Sequence, residues 1–190
     1  SVQIIRLKEK NIQQFTLACY GSECVSDDCS LIQKMILSAD GVILATPIWN
    51  FSVPAHLKNF IDCMGVFALD TTHSVGTLHQ KPFFLLFCGG APKSAWPLLK
   101  RTTSHIGAAV QYFGGIVLGT HYEGSCTKGR GQFGLVVNER PASLNAVREK
   151  AMEFLRTIES VKETGVLPLR YRVRFWLIQK AQKIRRWMGM

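Results

Sequence analysis

A chain of 190 residues, 47% apolar and 19% charged, has the size and composition of one globular domain and excludes bulk disorder. Its net charge of +10 is concentrated: Arg170, Arg172, Arg174, Lys180, Lys183, Arg185 and Arg186 stand in a stretch without acids, so +7 belongs to residues 170–190 and +3 (10 − 7) to the remainder. A body that close to neutral argues against nucleic acid as a partner, and apolar runs as short as Gly41–Thr46 and Phe83–Cys88 exclude a membrane-spanning segment there.

The opening Ser1-Val2-Gln3-Ile4-Ile5-Arg6 shows no basic segment followed by an apolar one. The expected compartment is therefore the cytoplasm, where the cysteines at 19, 24, 29, 63, 88 and 126 stay reduced and form no disulfide framework. Val2–Leu7 reads as a short strand and Lys8–Ser26 as irregular. Asp27-Asp28 ahead of Leu31, Ile32, Met35 and Ile36 predicts a helix with acids at its N-terminus. Gly41–Thr46 is a continuous apolar run closed by Pro47, the pattern of a strand buried on both faces. Ala55–Met64 predicts a helix that turns Leu57, Phe60, Ile61 and Met64 to one side. Pro82–Cys88 is a second buried strand, Ser94–Phe113 a helix, Gly115–Gly119 a third strand, and Pro141–Val161 a long helix with Pro near its first turn.

This alternation implies an α/β fold with a doubly wound parallel sheet. It divides into a body at 1–164 and a basic amphipathic helix at 165–190. Open sheets of this kind bind ligands beyond the carboxyl ends of their strands. Those ends are Thr46–Ser52, Cys88–Ala91 and the loop after Gly119.

Within the stretch Ala39–Asp62, Ala39-Asp40-Gly41, Thr46-Pro47-Ile48-Trp49 and Leu57-Lys58-Asn59-Phe60-Ile61-Asp62 together resemble the NAD(P)H-dependent FMN reductase family, whose fold is flavodoxin-like. Cys24-Val25-Ser26-Asp27-Asp28 resembles the motif before the second helix of its iron–sulfur branch. The resemblance implies FMN as cofactor, NAD(P)H as co-substrate, a small-molecule electron acceptor such as a quinone or free flavin, and a homodimer or tetramer. It also implies that FMN lies on Thr46, Pro47, Ile48, Trp49, Asn50, Phe51 and Ser52, and on Cys88, Gly89, Gly90 and Ala91. The residue types suit that role. A strand that stops at Pro47 frees the following peptide groups from the sheet, Trp49 and Phe51 offer an apolar wall, and Gly89-Gly90 permits close backbone approach. Trp49 is equally readable as a core or dimer aromatic. No acid, base or nucleophile is assigned, because the chemistry belongs to the cofactor.

Three departures stand against the family pattern. The family's first strand and phosphate-binding loop have no counterpart before Val2, and Val2–Leu7 matches its second strand. A natural protein longer by one βα unit, about 30 residues, is therefore expected. Cys19, Cys24 and Cys29 lack the paired spacing and the fourth thiolate of a cluster, so no metal is expected. Gly129-Arg130-Gly131-Gln132-Phe133-Gly134 has dinucleotide spacing without the strand–turn–helix context, and reads as a loop. An electron carrier, or a non-catalytic docking domain, stays open as an alternative. For the tail, Val173, Trp176, Leu177, Ala181, Ile184, Trp187 and Met188 trace one helical face amid Arg and Lys. That composition suits contact of Arg170–Met190 with a membrane surface, or packing on the body or on a second subunit.

Overall fold

The computed structural model describes residues 1–20, 27–128 and 136–188. Three strands, β1 (Val42–Pro47), β2 (Pro82–Cys88) and β3 (Ile116–Glu123), form a parallel sheet in the order β1-β2-β3. Helices α1 (Asp27–Ser38), α2 (Ala55–Phe67) and α3 (Trp96–Tyr112) build the main core with one face of this sheet. Helix α4 (Pro141–Thr164) packs on the other, and α5 (Leu169–Trp187) closes the described chain.

Strand β2 shows why an unbroken apolar run becomes a central strand. Phe83, Leu85 and Phe87 enter the large core between sheet and α1–α3, while Phe84 enters a second cluster with Phe154 and Ile158 of α4. Helix α2 buries Leu57, Phe60, Ile61 and Met64, the four positions its spacing marks. Helix α4 ends at Gly165, whose φ of +67° makes the left-handed cap, with its N–H donating to the Val161 carbonyl at 2.8 Å.

Two expectations are corrected. Val2–Leu7 is not a strand. Val2 and Ile4 are 83% and 81% exposed, and the segment ends in a 3-10 turn at Leu7–Glu9. A β-prone run becomes a strand only where a neighbour completes its hydrogen bonds, and this one pairs with no strand among the described residues. Ile5, Leu7 and Ile12 rest on the core, and Asn11 N–H and Lys10 Nζ donate to Asp28 at 2.9 and 3.0 Å. Nor is β1 buried on both faces: Val42 and Leu44 face the core, but Ile43 is 45% exposed. Helix α4 covers only the start of β1, where a Cβ on Gly41 would come within 2.4 Å of Ile158 Cδ1.

Strand β3 runs four residues beyond its predicted end. Its register with β2 slips so that Phe83 faces Val117 and Phe84 faces Gly119, leaving Leu118 as a bulge. Gly119 fits there because a Cβ would touch the Phe84 ring at 3.0 Å. No helix among the described residues is long and apolar enough to cross a membrane.

Candidate functional site at the carboxyl ends of the strands

The sheet register brings three chain turns together, because Pro47 lies opposite Cys88 and Cys88 opposite Glu123. Beyond Pro47 the ladder continues for one bond, from Ile48 N–H to the Cys88 carbonyl at 2.7 Å. The chain then reverses. Trp49 and Ser52 exchange backbone hydrogen bonds at 2.8 and 2.9 Å around Asn50 and Phe51, whose φ angles are +49° and +64°. Two successive positive φ values make a type I′ hairpin turn, which Asn tolerates and Phe adopts at a cost of roughly 1 kcal/mol. The turn aims Trp49 and Phe51 outward, 54% and 64% exposed. Trp49 is thus not a core residue. The N–H groups of Asn50 and Phe51 donate to no acceptor among the described residues.

The loop after β2 is pinned from the β3 side. Gly89 N–H donates to the Glu123 carbonyl at 3.0 Å, and Cys126 and Ser125 N–H return to the Gly89 and Ala91 carbonyls, each at 2.9 Å. Tyr122 donates its hydroxyl to the Ala91 carbonyl at 2.7 Å and stacks on Trp96 with centroids 5.2 Å apart. A Cβ on Gly90 would meet Thr127 Cγ2 at 3.1 Å, so the loop is close-fitted. Gly90 and Ala91 N–H, like those of Asn50 and Phe51, meet no acceptor among the described residues. Cys88 is half-buried, and burial raises its thiol pKa. The eleven residues singled out in sequence therefore form two adjacent loops, and Thr46, buried at the strand end, supports them from beneath.

Sequence reading missed the third contributor. Glu123, 1% exposed, accepts from Lys93 Nζ at 3.0 Å and shares a 2.7 Å hydrogen bond with His121 Nε2, both on Oε1. Burial works to raise its carboxyl pKa. The contacts with His121, Lys93 and Ser143 outweigh it and hold the group below the ordinary value. The Ser143 hydroxyl aids the charge without closing a well-formed hydrogen bond, and Oε2 has no partner among the described residues. Nearby, Arg140 Nη2 donates to the Gly124 carbonyl at 3.0 Å. A carboxylate four residues past the predicted strand end was the available signal, and it was hidden by ending that strand at Gly119.

Two further cysteines pair away from these loops. Cys29 on α1 meets Cys63 on α2, and that contact brings Cys29 down to about 7 while raising Cys63. Cys24 and the Gly129–Gly134 loop lie outside the described residues. Among the described residues no His/Cys/Asp/Glu group is arranged to hold a metal.

The sequence profile of the family described as NADPH-dependent FMN reductase matches residues 1–122, from the first residue to Tyr122 in β3. The chain belongs to that family. An FMN-dependent NADH:quinone oxidoreductase of Nitratidesulfovibrio vulgaris strain DP4 is 32% identical over 79 residues, covering 36% of this chain and 38% of the relative. FMN-dependent NADH:quinone oxidoreductase 5 of Burkholderia lata is 37% identical over 82 residues, covering 36% and 40%. The matched part thus spans well under half the length of either relative. Among solved structures, an FMN-dependent NADH-azoreductase of Bacillus anthracis is 16% identical with a TM-score of 0.48, over 64% of this chain and 68% of that one.

Proposed function

We propose that this family member holds FMN between the Thr46–Ser52 and Cys88–Ala91 loops and acts as an NAD(P)H oxidoreductase, passing electrons to a small acceptor such as a quinone or free flavin. The observation that carries the reading is the set of four N–H groups, on Asn50, Phe51, Gly90 and Ala91, that have no partner among the described residues and stand beside two outward aromatic rings. A flavin ring fits such a set, being flat, apolar on its faces and lined with acceptors along its pyrimidine edge. Bound FMN supplies hydride acceptance and onward electron delivery. The chain supplies the rest. Trp49 and Phe51 screen one ring face from water, the four amides orient the polar edge, and Tyr122 on Trp96 keeps the second loop in place. In the same reading the protein works in the cytoplasm with NADH or NADPH as donor, as a homodimer or tetramer.

The test is FMN titration followed by flavin fluorescence, which needs no substrate. Trp49→Ala combined with Asn50→Gly, which keeps the left-handed turn, should weaken FMN by about tenfold or more, since aromatic cover and orientation are both lost. Unchanged affinity in that variant would remove the site assignment, and absence of flavin binding by the unaltered chain would remove the cofactor.

A further inference from the structure

Helix α5 is amphipathic twice over. One face docks on the body: Tyr171, Phe175 and Ile178 line a cleft with Gly115 and Ile116, and Gln182, buried, donates to the Tyr112 carbonyl at 2.6 Å. The Tyr171 hydroxyl donates to the carbonyl of the bulged Leu118 at 2.7 Å. These positions repeat at offsets of 4, 7 and 11 from Tyr171. Val173, Trp176, Leu177, Ile184 and Trp187 occupy the opposite arc, centred roughly 180° away at about 100° per residue, and all are exposed, Trp176 at 53% and Trp187 at 88%. Docking therefore leaves the apolar stripe that the sequence marked uncovered by the described body.

On the helical wheel this stripe is bordered by Arg172 and Lys183 on one side, with Lys180 Nζ lying 4.3 Å above the Trp176 ring within it, while Arg174 on the other side lines the docked cleft. Residues 170–190 hold seven cations and no acid. We propose that the outer face of α5 seats the protein on an anionic lipid surface, tryptophans at the headgroup level and cations among the lipid charges. Charge complementarity selects this occupant. A second copy of the same face would set cations against cations. A nucleic acid would use the cations but leave the apolar centre in water. An anionic bilayer satisfies both at once. The inference is independent of the flavin reading, since none of the residues involved belongs to the two loops.

The experiment is co-sedimentation of the full chain with vesicles of phosphatidylcholine containing phosphatidylserine, and with phosphatidylcholine alone. Sedimentation velocity without lipid is run in parallel. The expected result is binding to the anionic vesicles, weakened by salt. It should fall by about tenfold or more in Trp176→Ser/Trp187→Ser and in Arg172→Gln/Lys183→Gln, with far-UV circular dichroism and thermal midpoint unchanged because these side chains are outward. No binding to either vesicle overturns the proposal, as does equal binding by the unaltered chain and both variants. Loss of a dimer in the tryptophan variant, without lipid binding by the unaltered chain, assigns the face to a second copy and likewise overturns it. Salt-sensitive binding to an RNA duplex, unaffected by the tryptophan changes and without lipid binding, does the same for nucleic acid.

Discussion

The two edges of the sheet are finished in opposite ways. The β3 edge is covered: α5 lies along it, Tyr171 satisfies the carbonyl of the bulged Leu118, and Phe175 and Ile178 close over Ile116. The β1 edge pairs with nothing among the described residues, and Ile43 beside it is 45% exposed. An exposed strand edge is a template for pairing, and the β3 side shows that a helix can cover one with side chains alone. The difference also divides the labour of the molecule. The proposed cofactor loops rise from β1 and β2, while β3 acts as an anchor whose terminal Glu123 ties the β2 loop to α4.

The heaviest blow to this contrast is ending the chain at Leu167. With α5 gone neither edge is covered among the described residues, and the loss of Tyr171, Phe175 and Ile178 packing should cost roughly 3 kcal/mol, with self-association rising. Urea unfolding read by circular dichroism, with light scattering alongside, checks this. A midpoint equal to that of the full chain would mean that α5 does not protect the edge.

Next comes Glu123→Gln, expected to cost about 2 kcal/mol at neutral pH by weakening charge-assisted bonds to Lys93 and His121. The sign with pH follows from the depressed carboxyl. Its stabilisation is complete above the unfolded value near 4.5 and is lost as pH falls through the lower folded value. Thermal midpoints from pH 7 downward should therefore converge between the two proteins below about 4.5. Parallel curves would place the acid-sensitive group elsewhere. Tyr171→Phe removes the edge hydrogen bond, together with the exposed one that its hydroxyl accepts from Arg170 Nη2 at 2.8 Å, and should cost about 1 kcal/mol without changing helix content, as read from chemical denaturation. Smallest is Ile43→Thr on the open edge, expected within ~0.5 kcal/mol by the same measurement. A cost of the size seen for a core residue would show that something covers β1.

Much of the fold was legible because it rests on local pattern. Strand β2 was located to the residue by an apolar run bounded by Lys81 and Gly89, and α2 by a four-residue stripe that needs no knowledge of the partner. The Thr46–Ser52 and Cys88–Ala91 loops were legible as the places where such runs stop. Their shape was not. Nothing in Trp49-Asn50-Phe51-Ser52 announces two positive φ angles, because Phe rarely accepts one and only the surrounding hairpin bonds hold it there.

What the sequence alone determined about this protein is the alternation of strands and helices from α1 onward, the residues of the two loops, and the apolar stripe on the last helix, since each follows from spacing within one segment. Tertiary structure decided three things. Val2–Leu7 stays out of the sheet, with Ile5 and Leu7 against the core, because a strand requires a partner for its hydrogen bonds. Glu123 is a buried carboxylate held charged, because Lys93, His121 and Ser143 reach it from three different elements. Helix α5 docks through Tyr171, Phe175, Ile178 and Gln182, because the Leu118 carbonyl of β3, the Tyr112 carbonyl at the end of α3 and the cleft beside Ile116 fit these side chains. A mixed aromatic and amide face of that kind is invisible to any hydrophobic period, and its use leaves the more apolar face outward.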